Sequence, residues 1–159
     1  MAKSDQILVG ILTGSPSDLP TVEKAKATLD ELGVPSEIKV LSAHRTPDLA
    51  VDYVKAAEAA GVEVFIACAG MANHLAGTVA AHTLKPVIGV PLTSGSLGGM
   101  DALLSTVQMP PGVPVATVAV DGAKNAAFLA ARVLSIKYPE FGAGLEEARR
   151  AARKRYEGG

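Results

Sequence analysis

Three short stretches of this chain carry residue types that could do chemistry. The first is Leu41-Ser42-Ala43-His44-Arg45-Thr46-Pro47, where an apolar run stops and a histidine, an arginine and two hydroxyls crowd together. His44 suits proton transfer near neutral pH, and Arg45 suits a phosphate or carboxylate. The second is Thr13-Gly14-Ser15-Pro16-Ser17-Asp18, which offers hydroxyls, backbone N–H groups and an acid, with Gly14 small enough to let a ligand approach the backbone. Such loops cradle phosphates, and an acid beside them takes ribose hydroxyls. The third is the glycine-bounded stretch Gly70-Met71-Ala72-Asn73-His74-Leu75-Ala76-Gly77. Each also has an ordinary structural reading: Arg45 as a solvated loop charge, His44 as a turn histidine, Ser17 or Asp18 as a helix cap.

The elements around these stretches decide whether they can meet. Residues 6–12 form a β-type run, and 20–32 an amphipathic helix closed by Gly33. An extended stretch over 37–41 leads into the histidine turn. Thr46-Pro47 then opens a helix running to Ala60, with a hydroxyl at the N-cap and proline at the first helical position. Residues 62–69 are continuously apolar rather than alternating, as expected of a strand covered on both faces. They lead to His74, in the first turn of a helix of very small side chains, whereas His82 falls two turns on, beyond the cleft. A fourth strand is expected over 86–91, a glycine-rich lid over 92–100, a short helix over 101–108, a fifth strand over 113–120 and helices over 123–138 and 144–156.

Short loops joining these alternations imply one α/β domain over residues 1–159, a flavodoxin/Rossmann-like three-layer α/β/α sandwich. Its core, about 6–138, is a five-stranded parallel sheet, and an extra C-terminal helix covers about 144–157. That last helix has few apolar positions and is expected to dock on another subunit. The three polar stretches then converge on the carboxyl edge of the sheet, where ligands bind in such folds.

Composition narrows the classes. Nearly half the residues are hydrophobic but only six are aromatic, so the core must be built from Ala, Val, Leu and Ile. Fifteen basic residues against sixteen acidic ones leave no overall field to hold nucleic acid or an anionic membrane. The single cysteine, Cys68, excludes a disulfide within the chain and a multi-cysteine metal site, and reads as a buried structural thiol. No signal-type or bilayer-spanning run is expected, which makes the cytoplasm the default.

With these stretches in place, the pattern Gly14-Ser15-x-Ser17-Asp18, Ser42-Ala43-His44-Arg45-Thr46-Pro47, Ala69-Gly70-x-Ala72-x-His74-Leu75, Pro86 to Pro91 and Gln108-Met-Pro-x-Gly-Val-Pro-Val115 resembles the PurE family of N5-carboxyaminoimidazole ribonucleotide mutases from purine biosynthesis. The resemblance runs from about Ile7 to about Leu134. It implies a cofactor-free, metal-free enzyme that moves a carboxylate from the exocyclic nitrogen of an aminoimidazole ribonucleotide to ring carbon C4. His44 would be the general acid/base. The substrate contacts would be Ser15, Ser17, Asp18, Ser42, Arg45, Gly70, Met71, His74 and Leu75. A homo-octamer with sites at subunit interfaces is implied as well. Met71 and Asn73 stand where glycine and alanine are more usual in the mutases, and residues 120–125 look short. These departures lean towards the sister branch, which carboxylates aminoimidazole ribonucleotide directly with carbon dioxide, while His74 and Arg45 keep the mutase form. The Thr13-Gly14-Ser15 loop also suits an FMN-binding flavodoxin-like module, although no aromatic flanks it. A receiver domain is a poorer fit, since no acidic pair ends the first strand.

Overall fold

The computed structural model describes residues 6–157. The strands are β1 (Val9–Thr13), β2 (Ser36–Val40), β3 (Val64–Gly70), β4 (Val87–Leu92) and β5 (Ala116–Thr117), with β1 and β4 buried throughout and β2 running out to an exposed end. All neighbours pair in parallel in the order β2-β1-β3-β4-β5. The chain adds β2 on one side of β1 and then crosses to place β3 on the other, so the order reverses beside β1. That reversal opens a crevice at the carboxyl edge.

Helices α1 (Leu19–Glu31) and α5 (Ala123–Ser135) cover one face, and α2 (Pro47–Ala60), α3 (Leu75–Ala80) and α4 (Met100–Val107) the other. The alternation of β3 shows why it reads as uninterrupted. Val64, Ile66 and Cys68 pack towards α1 and α5, while Phe65 and Ala67 pack towards α2 and α3. Burial, with a smaller push from the Asp18 carboxylate, raises the Cys68 thiol well above its ordinary range, so it stays neutral within the core. Five buried alanines of α5 bring that helix close to the sheet. On the opposite face Gly89 does the same service. A Cβ there would lie 2.4 Å from Thr106 Cγ2 and 2.8 Å from Val115 Cγ1, so its absence lets α4 settle on β4.

Two expectations change. The fifth strand, an edge strand paired with β4, has two residues rather than eight: Pro114, two positions before it, has no N–H to give a ladder. The final helix, α6 (Phe141–Lys154), starts earlier than its charge pattern suggested. Phe141 is buried against Tyr138, with ring centroids 5.9 Å apart, and Leu145 packs on the same cluster. Its first turns therefore complete this chain's core, and only the charged remainder faces outward.

One surface ion cluster ties the ends of the sheet layers together. Glu63 accepts from Lys137 Nζ at 2.6 Å and from Lys85 Nζ at 3.4 Å. The Lys137 hydrogen bond first, and Lys85 after it, hold the Glu63 carboxyl below its usual range against a partial desolvation that acts the other way. A carboxylate depressed in the folded state stabilises above its unfolded pKa, and that contribution is lost as the pH falls through the folded pKa. Glu63→Gln should therefore lower the urea midpoint at pH 7. The gap from the parent should hold at neutral pH and narrow only as the pH falls below the ordinary carboxylate range, because the folded-state carboxyl is the harder one to protonate.

Candidate active site

The loops after β1, β2 and β3 enclose a cleft of about 440 Å³ at the carboxyl edge of the sheet. After β1 the chain turns through a 3₁₀ segment, Pro16–Asp18, with Ser15 as its N-cap. Ser15 Oγ accepts the Ser17 N–H at 3.4 Å and lies 2.8 Å from Ser17 Oγ. Asp18 stands at the N-cap of α1 but its side chain makes no capping bond. Its carboxylate instead accepts from Thr13 Oγ1 and Ser17 Oγ, both at 3.4 Å. Gly14, Ser15, Ser17 and Asp18 all reach the cleft wall.

After β2 the turn is organised by Ser42, whose hydroxyl accepts the N–H groups of His44 at 3.3 Å and Arg45 at 3.1 Å. Thr46 precedes α2 as expected, yet its hydroxyl does not cap the helix. It accepts the Ser42 N–H at 3.0 Å and donates to the Ser42 carbonyl at 3.2 Å, bracing the turn from the other end. The five-residue turn from Ser42 to Thr46 is thus closed on itself by two side chains, which fixes where His44 and Arg45 leave the backbone. Both line the cleft with Ser42. Among the described residues no carboxylate forms an ion pair with Arg45.

After β3, Gly70, Met71 and Leu75 line the cleft, whereas His74 does not. His74, itself exposed, bonds to His44 instead: its Nδ1 lies 2.7 Å from His44 Nε2, with the rings edge to face at 85° and centroids 4.9 Å apart. This bond leaves Nδ1 of His44 for a ligand. His82 instead bonds the Thr78 carbonyl at 2.8 Å and stays outside the cleft, as expected. Met71 adopts a left-handed backbone with φ 54°, the conformation glycine takes most cheaply, and its side chain is 58% exposed at the mouth.

Asn73 points the other way. It is fully buried, its Nδ2 donating to Thr106 Oγ1 at 2.9 Å and its N–H to Ser105 Oγ at 3.0 Å, so it bolts the third loop to α4. Its departure from the usual alanine is thus a packing feature outside the cleft. Thr106→Val keeps the shape but orphans the Asn73 amide, and should destabilise by about 1–3 kcal/mol in urea unfolding.

Ser94 is a wall residue that the site reading of the three stretches did not include. It comes from the glycine-rich loop after β4, and a Cβ on Gly70 would fall 2.5 Å from Ser94 Cβ. The signal was available, since that loop leaves the same sheet edge. Among the described residues no three His, Cys, Asp or Glu side chains gather as a metal-ligand set.

Known proteins resemble this chain over most of its length. The N5-carboxyaminoimidazole ribonucleotide mutase of Pyrococcus horikoshii is 60% identical over 138 residues, covering 87% of this chain and 78% of that protein. The mutase of Pseudomonas aeruginosa is 53% identical over 144 residues, or 89% and 88% of the two chains. The crystal structure of Treponema denticola PurE superposes with a TM-score of 0.86 at 33% identity, covering 94% of this chain and 93% of that one. Residues 8–155 match the AIR carboxylase family model. By that match and by these identities, the chain belongs to the AIR carboxylase family.

Proposed function

We propose that this chain is an N5-carboxyaminoimidazole ribonucleotide mutase of purine biosynthesis, with His44 as its general acid/base. The observation that carries the chemistry is the His44–His74 hydrogen bond at the wall of a cleft that also holds Arg45 and the Ser15-Asp18 loop. An imidazole fixed by a second imidazole has one nitrogen committed and one free, which suits a group that must give and then take a proton at one place.

The steps balance around that one proton. His44 gives it to the exocyclic nitrogen as the N–C bond to the carboxylate breaks, releasing carbon dioxide and leaving the aminoimidazole. The electron-rich C4 then attacks the retained carbon dioxide. His44 takes the proton from C4 as aromaticity returns and is restored to its starting state. Arg45 and the N–H groups of the first loop suit the phosphate, and Asp18 suits the ribose hydroxyls. Gly70, Met71, Ser94 and Leu75 form the wall that would keep carbon dioxide beside C4.

An octamer is the assembly we infer. Leu97, Met100, Leu104 and Val107 are exposed large apolar residues along α4 and the loop before it, a surface suited to contact with another copy. We place the enzyme in the cytoplasm with its pathway; among the described residues no helix is long and apolar enough to cross a membrane.

The test gives purified protein either the carboxyamino nucleotide or aminoimidazole ribonucleotide with bicarbonate, and follows the C4-carboxylated product. Preference for the first at low bicarbonate is the expected result. Preference for the second would make it a direct carboxylase, and turnover of neither would overturn the reading.

A further inference from the structure

The loop after β4 contributes Ser94 to the cleft, and its sequence, Thr93-Ser94-Gly95-Ser96-Leu97-Gly98-Gly99, is poorly suited to holding a side chain in place. Gly95, Gly98 and Gly99 all have positive φ, and only a 3₁₀ turn over Gly95–Leu97 orders its middle. Order must come from its ends. Thr93 is bonded twice by one carboxylate: its N–H donates to Asp121 Oδ1 at 2.9 Å and its hydroxyl to Asp121 Oδ2 at 2.7 Å.

Asp121 is itself held in an unusual state. It has φ 57°, sharing the left-handed region with Met71 alone among the described non-glycine residues, and its N–H donates to the Pro91 carbonyl at 2.8 Å. A left-handed non-glycine residue persists where its surroundings over-determine it. Here the return is that the carboxylate faces back across the sheet edge at the loop. The neighbouring Val120 closes the other end: a Cβ on Gly99 would lie 2.7 Å from Val120 Cγ1 and 3.4 Å from Thr93 Cα. Both ends of the loop are thus pinched together against Val120 and Asp121.

We propose that Asp121 is a positioning residue, which fixes Thr93 and through it sets Ser94 against Gly70 in the substrate cleft. It touches no substrate. The inference rests on the cleft being the nucleotide site, and it makes the short 120–125 segment part of the binding apparatus.

Asp121→Gly tests it, because glycine keeps the left-handed backbone without strain while losing both carboxylate bonds. Asp121→Asn is the conservative control, since an asparagine tolerates the same backbone and its amide oxygen still accepts the Thr93 N–H. Amide hydrogen exchange in the ligand-free protein should accelerate about tenfold or more over residues 93–99 in Asp121→Gly, as a local opening made easier, and return towards the parent in Asp121→Asn.

In turnover, KM should rise about fivefold with kcat within about twofold, and Asp121→Gly with Ser94→Ala should be no worse than the worse single variant, because both act through one side chain. A general structural weakening would lower the unfolding midpoint and give effects that multiply. Unaccelerated exchange overturns the anchor. Faster exchange with an unchanged KM, or multiplying effects, overturns the positioning of Ser94. Since exchange needs no substrate, a parent without nucleotide turnover counts against the proposed activity and leaves the anchor to be decided by exchange.

Discussion

His44→Asn yields a folded protein that still binds the nucleotide but turns over at least about a thousandfold more slowly, within the range that a positioned acid/base contributes. The size of the effect follows from the double duty of one imidazole. Asparagine can neither give a proton to the exocyclic nitrogen nor take one from C4, so both proton steps fail together. Binding survives because the turn is set by other atoms. Ser42 Oγ bonds the backbone N–H groups at 44 and 45, and Thr46 braces Ser42, none of which involves the imidazole. Circular dichroism and a direct nucleotide titration check the fold and the site, and steady-state turnover reads the chemistry. Retention of more than about a tenth of the parent kcat would remove His44 from the acid/base role, since so small a loss lies below what such groups supply.

How far the sequence could foresee this site depends on the range of each interaction. The strands and helices were legible because burial on two faces leaves a local trace: β3 reads as an unbroken apolar run, and Gly33 and Gly61 mark helix ends with φ 71° and 106°. The convergence of three loops followed from topology alone. What stayed hidden is pairwise and distant. The bond between His44 and His74 spans thirty residues, and nothing local tells a histidine that lines a cleft from one that bonds to it. Asn73 looked like a change within the site, and only the position of Thr106 on α4 shows that it faces the core. Met71 is the opposite case. It stands where the resemblance leads one to expect glycine, and its left-handed backbone shows the physical preference behind that expectation. The early start of α6 was obscured because one buried aromatic, Phe141, weighs more than the charged residues that follow it.

Arg45→Ala should raise KM for the nucleotide about ten- to a hundredfold, the equivalent of the roughly 1.5–3 kcal/mol of a hydrogen bond to a charged group, while kcat changes much less. The reasoning turns on what Arg45 lacks. It lines the cleft, its backbone N–H is held by Ser42, and no carboxylate among the described residues neutralises its guanidinium. A cation kept solvated and unpaired at a ligand cleft has little to do for the fold, so its removal leaves stability nearly unchanged and falls on anion binding. Arg45→Lys separates charge from geometry: lysine restores a point charge but not the two-pronged donor fork, so KM should recover only in part. The parent's KM should also rise with added salt, as screening weakens the attraction, and the alanine variant should lose much of that dependence. An unchanged KM in Arg45→Ala would take Arg45 off the phosphate. A fall in kcat as large as that of His44→Asn would instead place Arg45 beside the reacting carboxylate, where its charge would stabilise the transition state rather than the bound nucleotide.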